Sequence, residues 1–106
     1  MPLTRDFKQT IVARVQRDPA FRKALLREGI ECMLAGDVET GKTVLRDYIN
    51  ATVGFVELGA ATHIPPKSLM RMLAPGGNPR AVNLFGIVAF LQKHEGVRFR
   101  LKTSHA

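Results

Sequence analysis

Cysteine is almost missing from this 106-residue chain, where Cys32 stands alone. A single thiol excludes an internal disulfide and a cysteine-built metal cluster, and it suits a reducing compartment. Its setting, GIECMLAG, is apolar on both sides and reads as a structural thiol rather than a nucleophile. Long apolar runs are missing too, since none approaches the roughly 18 residues of a membrane span. The opening MPLTRDFKQT lacks the basic-then-apolar layout of a signal peptide. These absences lead to the expectation of a soluble, cytoplasmic protein with no membrane partner. The three histidines, His63, His94 and His105, show no metal-ligand spacing, and no Ser/His/Asp set stands out. No catalytic residue, metal or cofactor is expected, and the chain does not read as an enzyme.

Acidic residues are scarce in one half only. From Met1 to Glu57 there are nine Lys/Arg against eight Asp/Glu; from Leu58 to Ala106 there are seven Lys/Arg against Glu95 alone. The formal net charge of +7 therefore resides almost wholly in the C-terminal half. Such a balance calls for an anionic partner, with nucleic acid first and an acidic membrane surface second.

The stretch GDVETGKT, Gly36–Thr43, matches the phosphate-loop pattern G-x-x-x-x-G-K-[ST]. That loop needs a buried strand before it and bare backbone N–H groups facing the anion. Here the preceding ECMLA belongs to a helical pattern, and Asp37 and Glu39 would repel phosphate. Asp37 instead sits where a helix N-cap belongs, with Glu39 near the positive end of the dipole. The match reads as a by-product of helix capping.

Helical signals run along the chain, which reads as a single domain over 1–106. Thr4 is placed to cap a first helix to about Gln16, with Phe7, Ile11 and Val15 on one face. Asp18 and Pro19 start a second helix to about Ala35, completing an N-terminal helical region over 4–36. A third spans Asp37 to about Thr52, opening the proposed DNA-binding region over 37–95. Two short helices follow, GFVELGAAT and PKSLMRML, separated by HIPP, with Pro66 opening the second. After APGGNP a longer helix is expected, with Asn78 as cap, Pro79 at its first position and Gly96 just beyond its end. Val97, Phe99 and Leu101 then alternate with Arg98, Arg100 and Lys102, the period of a strand, here over 97–103. A lone strand wants a partner, so a second copy of the chain supplies one; the alternative is a disordered basic tail.

Two short helices around a tight turn in a basic half form a helix-turn-helix pattern. In PPKSLMRMLAP, Leu69, Met72 and Leu73 share an inner face while Lys67, Ser68 and Arg71 project outward. Lys and Arg there can reach guanine edges or phosphates, and Ser68 either. Met70 can touch a thymine methyl or pack inward.

The segment FVELGAATHIPPKSLMRMLAPGGNPRAVNLFGIVAFL resembles the phage-repressor (Xre/Cro-like) helix-turn-helix. More specifically it resembles the addiction-module antidote family, the antitoxins of toxin–antitoxin pairs, over most of residues 19–96. The resemblance implies an all-α, lambda-repressor-like bundle with a short C-terminal strand. It implies that Pro66 opens a recognition helix carrying Lys67, Ser68 and Arg71, and that Asn78 and Arg80 approach the phosphate backbone. Thr62 and His63 fall in the turn, with His63 where such motifs carry a glycine of positive φ. Phe55 falls where a phosphate-contacting polar residue is common. The implied activity is that of a homodimeric transcriptional regulator that represses its own promoter by binding an operator in double-stranded DNA, with a small toxin as possible protein partner. A stand-alone repressor of the same type, and a protein-interaction module that binds DNA only non-specifically, remain as alternatives.

Overall fold

Six α-helices make up the computed structural model, which describes residues 5–105: α1 (Arg5–Arg17), α2 (Pro19–Leu34), α3 (Val38–Ala51), α4 (Phe55–Thr62), α5 (Pro66–Leu73) and α6 (Ala81–Glu95). Thr4, the expected cap of α1, lies outside the described residues, as does the Phe7 side chain. The α1–α2 junction follows from local chemistry. The Asp18 carboxylate accepts a hydrogen bond from Phe21 N–H at 3.1 Å, and Pro19 occupies the first helical position, where its missing N–H costs nothing. Asp37 does the same for α3, accepting from Thr40 N–H at 3.2 Å.

The core is built where the helical stripes meet. Leu26 of α2, Leu45, Tyr48 and Ile49 of α3, Phe55 and Leu58 of α4, Leu69 and Leu73 of α5, and Ile87 and Leu91 of α6 form one buried cluster. Each buried aliphatic side chain contributes roughly 1.5–3 kcal/mol of transfer free energy. Beneath this cluster lies one ionic node. Glu95, whose side chain is only 3% exposed, accepts from Arg22 Nε at 2.8 Å on both carboxylate oxygens and from the Tyr48 hydroxyl. Arg22 also donates through Nη1 to Val15 C=O at 3.0 Å, so the node joins α1, α2, α3 and the end of α6. Burial, followed by the hydrogen bond and charge of Glu95, pushes the Tyr48 hydroxyl well above its ordinary pKa.

Two expectations need correction. The first concerns the start of α6, which begins at Ala81 with Arg80 in extended geometry as the flanking residue, and without a side-chain cap. Asn78 precedes Pro79, which disfavours helical geometry at Asn78, and the first helical bond runs from Leu84 N–H to Arg80 C=O. Second, there is no strand among the described residues. Residues 97–105 carry no secondary structure, because a ladder needs a neighbour and the described residues offer none. The segment is held back on α6 instead: Phe99 packs against the core and its N–H donates to Gln92 Oε1 at 2.8 Å. Leu101, placed on the apolar face by its period, is 85% exposed. Cys32 is half-buried rather than buried. Partial desolvation and then the Glu28 carboxylate, 3.7 Å from its sulfur, raise its pKa, which weakens it as a nucleophile.

Candidate nucleic-acid interface

The arrangement of α4 and α5 starts from a glycine. A Cβ on Gly59 would stand 2.8 Å from Ile64 C=O and 3.2 Å from the Pro66 ring, so only glycine lets α4 carry the turn and the start of α5 this closely. α4 ends in His63 at φ 59° and ψ 34°, the left-handed geometry anticipated at that position. Ile64 N–H then returns to Gly59 C=O at 3.2 Å, and the Thr62 hydroxyl donates to Leu58 C=O at 2.8 Å. Three residues thus reverse the chain from α4 into α5. Phe55 is buried in the core, so it offers no polar contact at the head of α4.

α5 divides cleanly into two faces. Leu69 and Leu73 are fully buried and Met72 packs behind them. Lys67 and Arg71, one helical turn apart, are exposed, and Met70 joins them at 45% exposure. Ser68 is half-buried, at the edge of an open groove of about 480 Å³ that it shares with Arg71, Met72, Gly76, Gly77 and Asn78. Pro66 begins α5 and faces Gly59, so its part is to start and seat the helix. Asn78 and Arg80 are exposed just ahead of α6. The uncapped first N–H groups of that helix lie beside Arg80. The anticipated residues Ser68, Arg71 and Asn78 therefore line one groove, while Lys67 extends the outer face of α5 and Arg80 stands at the head of α6.

The loop that joins these pieces is held by residues the sequence reading passed over. Lys42 is 1% exposed. Its Nζ donates to Gly77 C=O at 2.6 Å and Ala74 C=O at 3.1 Å, and pairs with Glu39 Oε2 at 2.7 Å. Glu39 Oε1 accepts from Gly76 N–H at 3.2 Å, and Arg46 Nη1 donates to Leu73 C=O at 3.2 Å. The last carbonyls of a helix have no partner within it and carry the negative end of its dipole, so two cations from α3 suit the end of α5. Lys42, with Gly76 N–H, holds the Glu39 carboxyl below the usual carboxylate range. Gly77 completes the fit: a Cβ there would lie 2.3 Å from Arg71 C=O and 2.5 Å from Met72 C=O. The signal for Lys42 was present in the sequence, because it falls in phase with Leu45 and Ile49 on the buried stripe of α3. The same contacts give the stretch Gly36–Thr43 its place: it links two helices, and its lysine is committed to carbonyls.

From Leu58 to His94 the charged residues of this side are all basic, with two exposed carboxylates at its margin, Glu57 on α4 and Glu39 at Gly76. No Asp or Glu occurs from Leu58 to His94, and Glu95 beyond them is buried against Arg22. Among the described residues, Lys67, Arg71 and Arg80 have no carboxylate partner. No group of three or more His, Cys, Asp or Glu positioned for a metal occurs among those residues. Nor is any described helix long and apolar enough to cross a membrane. No protein-family model, curated protein or solved structure matches this chain, so the functional reading stands on the residues themselves.

Proposed function

We propose that this protein is a cytoplasmic, sequence-specific DNA-binding regulator in which α4 and α5 form a helix-turn-helix and α5 is the recognition helix. The observation that carries the reading is the outward face of α5: Lys67 and Arg71 exposed and unpaired, on a helix whose opposite face is fully buried, with Arg80 ahead of α6 and no carboxylate in between. Such a helix can enter a major groove, with Lys67 and Arg71 reaching guanine edges or phosphates and Ser68 at the groove's margin. Asn78 and Arg80 are placed to meet the backbone beside the head of α6, where helix N–H groups favour an anion. The chemistry is binding rather than catalysis. The role within a regulatory circuit, as an antitoxin that represses its own promoter and neutralises a small toxin, rests on the family resemblance of residues 19–96.

The N-terminal helices favour a second, compatible activity. Between Glu28 and Gly41 there are four acids and no base, and Leu34 (62% exposed) and Val38 (41%) lie bare among them. That corner suits protein association, the work assigned to a toxin-binding surface.

Fluorescence anisotropy tests the main reading, using the duplex upstream of the protein's own gene against a scrambled duplex across a salt series. Three cations per chain, doubled over two half-sites, give an expected slope of log K on log salt of about −5. Tighter binding to the native duplex supports a regulator. Equal, weak binding to both duplexes would remove sequence recognition and leave the protein-association role.

A further inference from the structure

We propose that Met70 is a specificity-determining residue of this interface. It packs on the C5-methyl group of a thymine, while Lys67 and Arg71 donate to the base edges beside it. The inference rests on α5 being the recognition helix, and it adds to that reading the kind of base pair the helix selects.

The starting observation is where the one apolar side chain of the outer face stands. Lys67, Met70 and Arg71 lie at i, i+3 and i+4 of α5, so their side chains emerge on one patch of the helix surface. The inner face is filled without Met70: Leu69 and Leu73 are fully buried, and Met72 packs against the core. Met70 is 45% exposed beside the two cations. On an ordinary surface a single exposed apolar residue needs no explanation. On a helix that enters a major groove it has a specific counterpart, because the thymine methyl is the apolar group that base edges present there. Methionine suits that contact, since its unbranched, polarisable chain adapts to the shape it meets.

The rest of the face narrows the choice by what it lacks. Adenine is matched by the paired donor and acceptor of Asn or Gln, and the cytosine N4 donor by a carboxylate. α5 holds none of these four residue types, and none occurs from Thr62 to Gly77. Lys67 and Arg71 only donate, so they fit the acceptors of guanine O6 and N7 or thymine O4. The half-site therefore presents guanine and thymine to the helix, with one thymine methyl against Met70. Cytosine in place of that thymine would bring no methyl to Met70 and would turn an N4–H donor toward a face of donors. Discrimination thus has a repulsive part as well as an attractive one.

The test uses duplexes that the full chain enriches from a randomised pool. Each thymine of the half-site is replaced in turn by deoxyuridine, which removes the methyl and keeps every hydrogen-bonding group. In fluorescence anisotropy, replacement of one particular thymine should weaken wild-type binding by about fourfold per half-site, the effect of one methyl-sized group left in water. Met70→Ala should bind the thymine duplex more weakly and no longer distinguish thymine from uracil at that position. Met70→Leu should keep the distinction, and both variants should keep the wild-type far-UV circular dichroism spectrum. A wild-type chain that prefers the enriched duplex but is indifferent to every deoxyuridine overturns this proposal and leaves the regulator reading standing. So does a Met70→Ala chain that still distinguishes thymine from uracil. If no duplex is enriched over the pool, sequence recognition by α5 fails, and the thymine contact fails with it.

Discussion

Replacing Glu95 by alanine removes the acceptor shared by Arg22 and Tyr48 and leaves both donors without it at the floor of an open pocket. The Glu95 side chain is 3% exposed and that of Arg22 23%, so water can replace part but not all of the lost bonding. Breaking a buried ion pair by removing one partner costs about 3–5 kcal/mol, chiefly because the remaining charge stays buried. Domains of this size are stable by roughly 5–15 kcal/mol in total. The expected loss is therefore a large share of the whole, and at about 4 °C per kcal/mol it lowers the melting temperature by about 12–20 °C. Glu95→Gln keeps the shape and an acceptor for the Tyr48 hydroxyl, and should cost roughly half as much, close to the loss of one charge-assisted bond. Urea unfolding followed at 222 nm, with the two variants beside wild type, measures both. If Glu95→Ala costs less than about 1 kcal/mol, the node is only a surface pair and the reasoning from burial is wrong.

Four other outcomes follow from the geometry. Lys42→Met keeps the buried stem but orphans Ala74 C=O and Gly77 C=O, so it should destabilise by about 2–4 kcal/mol in the same unfolding assay. Arg71→Ala should cost about 1–3 kcal/mol on the operator duplex and less on a scrambled one; anisotropy giving equal losses on both would make Arg71 a phosphate contact. The Glu39 carboxyl is held below its ordinary value of 4.5, so its stabilising effect is present above that pH and fades as pH falls through its lowered folded value. Acid unfolding of Glu39→Gln should lack this component. The Tyr48 hydroxyl is held above its ordinary value of 10.0, so its folded form keeps a proton the unfolded chain loses, and stability should decline as pH rises past about 10. Tyr48→Phe should flatten that decline in urea midpoints measured across alkaline pH.

What could be read beforehand was what is local. The starts of α2 and α3 were legible because Asp18 and Asp37 act on N–H groups three residues away. The two faces of α5 were legible because helical period alone separates Leu69 and Leu73 from Lys67 and Arg71. The left-handed turn at His63 was legible from its place in the pattern. The start of α6 was misplaced, because an Asn-Pro pair reads as a cap while the segment around it is extended and tied at Gly77 to α3. The tail was read as a strand because its alternation is real, but pairing depends on a neighbour that no period reveals. The clamp of Glu39, Lys42 and Arg46 escaped notice because its acceptors lie about thirty residues away.

The burial of Lys42 has a practical consequence for how this chain should be tested. Replacing the lysine of G-x-x-x-x-G-K-T is the habitual way to ask whether a protein hydrolyses a nucleotide, and loss of function is habitually taken as the answer. In this molecule the experiment would give a positive result for an unrelated reason. Without its ammonium the loop after α5 loses two anchors at once, at Ala74 and Gly77, and Glu39, which holds Gly76 N–H, loses its cation. Any activity that depends on α5 or the head of α6 would then fail with it. A null phenotype at position 42 is diagnostic here only beside a folding measurement and a direct nucleotide-binding assay on the unaltered chain.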